Sequence, residues 1–485
     1  MFINISALQL LLLSPVYILV IFALFMLVAN SFLGKSPNIF KNLSLIALSL
    51  SFLSMLFLDF KSGFFELLSF DYLALCSWAL ILFAGALFAL AEKSDLGSDF
   101  YGLFLLMIAG FMIMAASQNL VVVLIALECG SLALYTLIAM RGGELALKAA
   151  IKYFAYGAIS TAFFALACVF YYLDNATLSL SSINAASHGD LASFTALIIF
   201  LAVLSFKLSL APFHLWLKDV YAHASANLAG FISVGPKIVA LVFAYRLFIN
   251  FTGLASAGAA LSYACAFAIL AAGLGAIRQQ NAKALFVYSS ISHSAFILAS
   301  LAALVNSAAL SYNNFATAAF FYWFIFIAAN IALFMFLSHF KSCNYKDFYG
   351  SYAKNKSLAL LIVLLLLSLA AIPPFGIFWG KAYLILLVLK SGDYLLACTM
   401  ALGSVFMLYA YLQFINAILF VKPVQFLAAE TLAAKTSDTS FDCCTTNTSR
   451  LSLGRTQALL LSLAVTINVF GLVFVSNFYS LATGG

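Results

Sequence analysis

Charge is scarce in this chain. Only 8% of its 485 residues are Asp, Glu, Lys or Arg and 65% are hydrophobic, against about 25% charged and roughly 45–50% apolar in an ordinary soluble domain. That shortage excludes a water-soluble fold. Paired metal-ligating residues are also missing: the eight cysteines occur singly except for Cys443 and Cys444, with no CxxC pair and no Cys/His cluster of metal spacing. Free thiols and no metal centre are expected. No strand, glycine-rich turn and helix unit of the dinucleotide-binding kind is present, so neither flavin nor nicotinamide has a site in this chain, and any electrons travel elsewhere. The net charge of +7 comes from Lys and Arg scattered among loops, without a basic stripe interleaved with aromatics, which excludes a nucleic-acid partner.

What the chain does have is apolar runs of about 20 residues, the length that spans a bilayer as a helix. They recur from end to end. Fourteen candidate spans begin near residues 7, 38, 70, 100, 119, 146, 192, 227, 255, 281, 313, 357, 394 and 456, giving an all-α polytopic membrane protein with a single integral domain, residues 1–485. The first run, about Ala7 to Leu33, is too long for a signal-peptide core and lacks a basic start, so it is read as the first helix. An even count puts both termini on one side. Sixteen Lys and Arg residues fall in the odd-numbered loops, among them Lys93, Arg141, Arg278 and Lys346, whereas the even-numbered loops hold only Lys61, Arg246 and Lys390. The positive-inside rule therefore places the odd loops in the cytoplasm and both termini on the periplasmic side of a bacterial inner membrane. The Ser/Thr-rich stretch from about Lys422 to Arg455 is read as a cytoplasmic loop.

Four lysines and one glutamate remain inside the spans: Lys152, Lys207, Lys237, Lys381 and Glu128. A charge at mid-bilayer costs at least ~2.5–3.5 kcal/mol, so such residues face a polar interior and mark ion or proton routes. Lys152 lies a few residues inside the sixth span and can instead snorkel to the surface. For the others the alternative is a fixed ion pair that pins helices, although a buried pair is weak evidence of stabilisation. Pro212, Pro236, Pro373 and Pro374, four of the seven prolines, fall close to these lysines. Each interrupts the backbone ladder, either as a packing kink or as a broken helix whose freed carbonyls line a hydrated cavity. LAPFHLWLK (210–218) resembles IPPFGIFWGK (372–381) five spans later, and an odd displacement inverts a repeat in the membrane. His293, set among Ser289, Ser290, Ser292 and Ser294, is either a relay imidazole or a hydrogen-bonded core residue. His214 sits beside the seventh-span break as a weaker candidate, and His188, His223 and His339 read as loop or interface residues.

FKLSLAPFHLWLKDVY (206–221), SVGPKIVA (233–240), AKALFVYSSISH (282–293) and IPPFGIFWGK (372–381) together resemble the antiporter-like membrane subunits of respiratory complex I (NADH:quinone oxidoreductase), which are related to subunits of multisubunit cation/proton antiporters. DVY, SVGPK and the lysine of the twelfth span are similar to the N-type rather than the M-type subunit, and the L-type's lateral helix is absent. The resemblance implies inverted repeats in residues 100–250 (helices 4–8) and 255–421 (helices 9–13), helices 7 and 12 broken, preceded by helices 1–3 (1–99) and followed by the loop (422–455) and helix 14 (456–485). It implies proton transfer through Glu128 and Lys207 as a charge pair, Lys237 as the central lysine and Lys381 nearest the outer half-channel, with Lys152 and His293 at secondary positions. Partners are other membrane-arm subunits, the lipid bilayer and protons; no cofactor belongs to this chain, while quinone, NADH or another reductant, flavin and iron–sulfur centres belong to partner subunits. YAHASANLAGF (221–231) departs from the family pattern by lacking its proline and acidic residue, and Lys218 replaces a usual proline. A cation/proton antiporter subunit and a purely structural membrane-arm subunit remain the rival readings.

Overall fold

A computed structural model of the chain describes residues 11–33, 38–58, 62–93, 96–180, 191–251, 255–307, 312–340, 342–421 and 453–483. Its helices are α1 (Ser14–Leu33), α2 (Ile39–Met55), α3 (Tyr72–Ala91), α4 (Gly97–Ala116), α5 (Leu120–Ala139), α6 (Glu144–Asn175), α7 (Leu191–Lys207), α8 (Leu215–His223), α9 (Ala226–Ile232), α10 (Gly235–Phe248), α11 (Ala255–Ile277), α12 (Ala282–Asn306), α13 (Tyr312–Leu337), α14 (Lys356–Leu369), α15 (Gly376–Lys390), α16 (Tyr394–Leu419) and α17 (Arg455–Thr483). Among the described residues nine segments are long and apolar enough to cross a membrane, and five shorter apolar helices accompany them. Helices dominate because lipid offers the backbone no hydrogen bonds, so each segment must satisfy its own. One departure from the all-helical expectation is a short antiparallel hairpin, β1 (Ser62–Phe64) with β2 (Leu68–Phe70). The Ser/Thr-rich stretch up to residue 452, with Cys443 and Cys444, and His188 lie outside the described residues.

Two helices stop where the prolines fall. After α7 the chain turns at Ser209 (φ 60°) and after α14 at Ala371 (φ 58°), left-handed positions that cost a residue with a Cβ about 1 kcal/mol or more. The hydrogen bonds around the two turns repeat. Leu210 N–H donates to Ser205 O (2.7 Å) and Ser209 N–H to Phe206 O (3.0 Å), while Ile372 N–H donates to Leu367 O (3.2 Å) and Ala371 N–H to Ser368 O (2.9 Å). Each residue of the first set corresponds to one 162 positions later (209 to 371, 205 to 367). The same spacing relates Asn119 to Asn281, which cap α5 and α12 with their side chains, and the adjoining donors Leu120 N–H and Ala282 N–H, whose acceptors, Leu178 O (2.9 Å) and Cys343 O (2.8 Å), lie 165 positions apart. In this register Asp219, not Lys218, stands opposite Lys381, and Ser290 stands opposite Glu128.

The capped turns at Asn119 and Asn281 lie at opposite ends of the α9–α10 span. Arg246, in the last turn of α10, donates to Ala115 O (3.0 Å), just before Asn119. Lys283, next to Asn281, reaches Ala224 O (3.4 Å) at the far end of the α9–α10 span. Arg141 donates to His223 O (2.5 Å) and Ala224 O (2.6 Å) at that same end.

Arg246 corrects the sequence reading that left it in an outer loop. Its side chain is 4% exposed, and Nη1 and Nη2 grip both carboxylate oxygens of Asp71 at 2.9 and 2.7 Å. Ser69 also accepts from Nη1 at 3.1 Å. Asp71 is itself the N-cap of α3, accepting from Ala74 N–H (2.9 Å). A planar fork satisfied by a carboxylate, a hydroxyl and a carbonyl is how an arginine is buried at tolerable cost. Replacing it by Met strands Asp71, and removing one partner of a buried pair costs about 3–5 kcal/mol; because Asp71 is 34% exposed, the low end applies. Thermal unfolding of the detergent-solubilised protein is expected to show Arg246→Met destabilised by about 3 kcal/mol and Asp71→Asn by less.

Candidate functional site

α5, α6 and α7 bring the first group together. Glu128 lies mid-way along α5 and accepts a hydrogen bond from the Thr161 hydroxyl of α6. Lys207, the last residue of α7, donates through Nζ to Ser131 Oγ (3.2 Å), one helical turn beyond Glu128. Glu128 and Lys207 therefore share one face of α5 without a direct ion pair among the described residues. Both are half-buried, beside α6, which leaves large apolar side chains such as Ile151, Phe163 and Leu166 exposed among the described residues. Lys152 stands apart on α6, where it pairs with Asp219 of α8, both about half exposed (45% and 41%). Of the two readings open for Lys152, a snorkelling anchor or a site residue, neither is decided by this half-exposed ion pair.

The second group is fully buried. Lys237, 1% exposed, sits in the first turn of α10 directly after Pro236, where the span is interrupted at Ser233 and Val234. Its Nζ donates to Ser290 Oγ (2.7 Å), whose hydroxyl donates in turn to Ser233 O (3.2 Å). Tyr221 OH approaches the same Ser290 at 3.5 Å. Three residues further along α12 comes His293, its Nδ1 hydrogen-bonded to the Tyr322 hydroxyl and its Nε2 3.4 Å from Tyr411 OH. Tyr411 also bonds Ser289 (2.5 Å). Lys381, 3% exposed in α15, has no hydrogen-bond partner for Nζ among the described residues. Its ammonium lies 4.8 Å from the Phe296 ring of α12, a cation–π contact. Gly380 lets α15 approach this closely, since a Cβ there would meet Tyr322 at 2.6 Å.

α12 is thus the spine: Ser290 serves Lys237, His293 lies between, and Phe296 faces Lys381. Sequence reasoning named the lysines, the glutamate and the histidine. It missed Ser131, Thr161, Tyr221, Tyr322 and Tyr411, which carry no charge and are brought in by helices remote in sequence. The run SSISHS (289–294) was the visible signal for Ser290. His214 caps α8 half-buried, with its ring 6.1 Å from that of Tyr288, and touches neither lysine group.

Residues 117–407 match the family profile described as NADH:quinone oxidoreductase/Mrp antiporter, transmembrane. The chain belongs to that family. Among its relatives, NADH-quinone oxidoreductase subunit N of Campylobacter lari is 38% identical over 424 residues, 85% of this chain and 90% of the relative. Subunit N of Sulfurimonas denitrificans is 34% identical over 453 residues, 87% and 89% of the two chains. A chain of respiratory complex I from Thermus thermophilus with bound aureothin superposes with a TM-score of 0.80 at 26% identity, covering 97% of this chain and all of that one. A chain of the Mrp complex from Dietzia, at 17% identity and a TM-score of 0.78 over 97% of this chain and 95% of that one, shares the fold. In this family setting Ser290 is the test of whether the buried groups communicate. Ser290→Ala removes the acceptor of Lys237, and stranding a buried donor costs about 1–3 kcal/mol. Proton pumping by assembled complexes is expected to slow by roughly five- to a hundredfold; an unchanged rate would remove Ser290 from the route.

Proposed function

We propose that this chain moves protons as the N-type membrane-arm subunit of a proton-translocating NADH:quinone oxidoreductase. It has fourteen membrane spans, two inverted five-helix repeats broken at α7–α8 and α14–α15, basic loops in the cytoplasm and both termini outside. The repeat reading is supported by the recurring turns and caps, and its inversion by their positions at opposite ends of the bundle.

One observation carries the transport reading over a structural one. Where this fold buries a positive charge for structure, at Arg246, it supplies a carboxylate and fills the donors. Lys237 and Lys381 are buried as deeply, yet no carboxylate lies within ion-pair distance of either among the described residues. A cation left so in hydrocarbon costs several kcal/mol, whereas a lysine that gives up and regains its proton spends part of its cycle neutral. Proton transfer explains the arrangement; static pinning does not.

In the proposed cycle Glu128 holds Lys207 charged, and separating the two releases the proton. Across about 6 Å at an effective dielectric near 20 their attraction is about 3 kcal/mol. A membrane potential of about 150 mV opposes one charge by about 3.5 kcal/mol, so a modest rearrangement of that pair is of the right size. Lys237 accepts the proton, the Ser290 and His293 groups pass it along α12, and Lys381 delivers it outward. Lys152, paired with Asp219, tunes the first group. The driving energy comes from quinone reduction in partner subunits, which hold the flavin and iron–sulfur centres. Replacing Lys237 or Lys381 by Met in the native membrane is expected to leave the complex assembled while lowering proton pumping about tenfold or more. Wild-type pumping by either assembled variant would contradict the route.

A further inference from the structure

We infer that Lys237 needs a second proton supply besides Lys207, reaching it from the basic face of the bundle along α9, and that Glu92 is the carboxylate through which this supply enters; the inference rests on the transport reading of Lys237. Glu92 follows the last residue of α3 and is 6% exposed. Its Oε2 accepts from Asn227 Nδ2 (3.0 Å) at the start of α9, and its Oε1 from Lys93 N–H (3.1 Å). The neighbouring Ala91 carbonyl accepts from Gln457 Nε2 (3.1 Å) and more loosely from Asn227 (3.5 Å). Lys93 Nζ, 3.1 Å from His339 Nε2, marks the surface just outside.

One turn further along α9, about 5 Å of rise from Asn227 to Gly230, a second polar cluster begins. Asn330 of α13 donates to Gly230 O (3.3 Å) and to the Ser233 hydroxyl, and Ser233 O accepts from Ser290, the partner of Lys237. Among the described residues no hydrogen bond links the two clusters. Asn227 Oδ1 and Asn330 Oδ1 accept no hydrogen bond from any described group, although both residues are buried. More than nine in ten buried polar groups in folded proteins are paired, so two unmet acceptors beside one short helix mark positions for water. The transfer balances simply. Glu92 takes a proton from water at the basic face and gives it to water held by the amides, and that water gives it through Ser290 to Lys237 Nζ; every carrier accepts one proton and releases one.

A purely structural Glu92 would only tie α3 to α9 through Asn227, and Glu92→Gln preserves that tie, since its side-chain oxygen still accepts. In assembled complexes Glu92→Gln is expected to lower proton pumping and coupled electron transfer together by about tenfold or more, with Glu92→Asp retaining most of both. Independently of activity, Asn330→Cys in a background without native cysteines is expected to react with a small charged thiol reagent added from the cytoplasmic side, while Leu333→Cys on the same helix stays unreactive. Wild-type pumping by Glu92→Gln, or an inert Asn330→Cys, overturns the entry route; if Glu92→Gln fails to assemble, the thiol reaction decides. If Lys237→Met itself pumps normally, the transport reading fails instead of the route.

Discussion

An ammonium group buried in hydrocarbon must have a partner, a wet cavity or a means of losing its proton, and most of this structure is arranged around that constraint. It accounts for the contrast between Arg246, held by Asp71, Ser69 and a backbone carbonyl, and Lys237 and Lys381, which have a single serine and a single aromatic ring. It also accounts for where helices break. The chain stops its backbone ladder beside Lys207 and Lys237, and again a turn or so before Lys381, where polar backbone is tolerated only against other polar groups.

In the proposed repeat, the two halves differ at the positions that matter for charge. The register of 162 residues sets Glu128 opposite Ser290 and Asp219 opposite Lys381. One half thus has acids there, a glutamate near Lys207 and an aspartate paired with Lys152, where the other has a serine and a lysine. The two halves of the polar seam are chemically unlike, with half-buried carboxylate–lysine groups at one side and, among the described residues, buried lysines without a carboxylate partner at the other.

Much of the fold was legible because the bilayer permits few solutions: an apolar run of 20 residues with polar punctuation is a helix, and a proline near a buried lysine is a break. The charges of the site were legible for the same reason, as each is out of place where it stands. What sequence could not convey was exposure and partnership. Glu128 and Lys207 read as deeply buried but are half-covered, beside an outer face of α6 that stays exposed among the described residues. Arg246 read as a loop residue because its partner, Asp71, is distant in sequence and lies at the end of another helix. The repeat was visible at the prolines, and the turn hydrogen bonds carry the same register of 162 residues beyond them.

The most direct test is Lys207→Ala in the native membrane, with complex assembly, electron transfer to quinone and proton pumping measured on the same vesicles. If Glu128 and Lys207 work as a proton-releasing pair, the complex assembles while pumping and coupled electron transfer fall together. An assembled complex with both activities near wild type would mean that the half-buried pair is structural, and would contradict the mechanism at its first step.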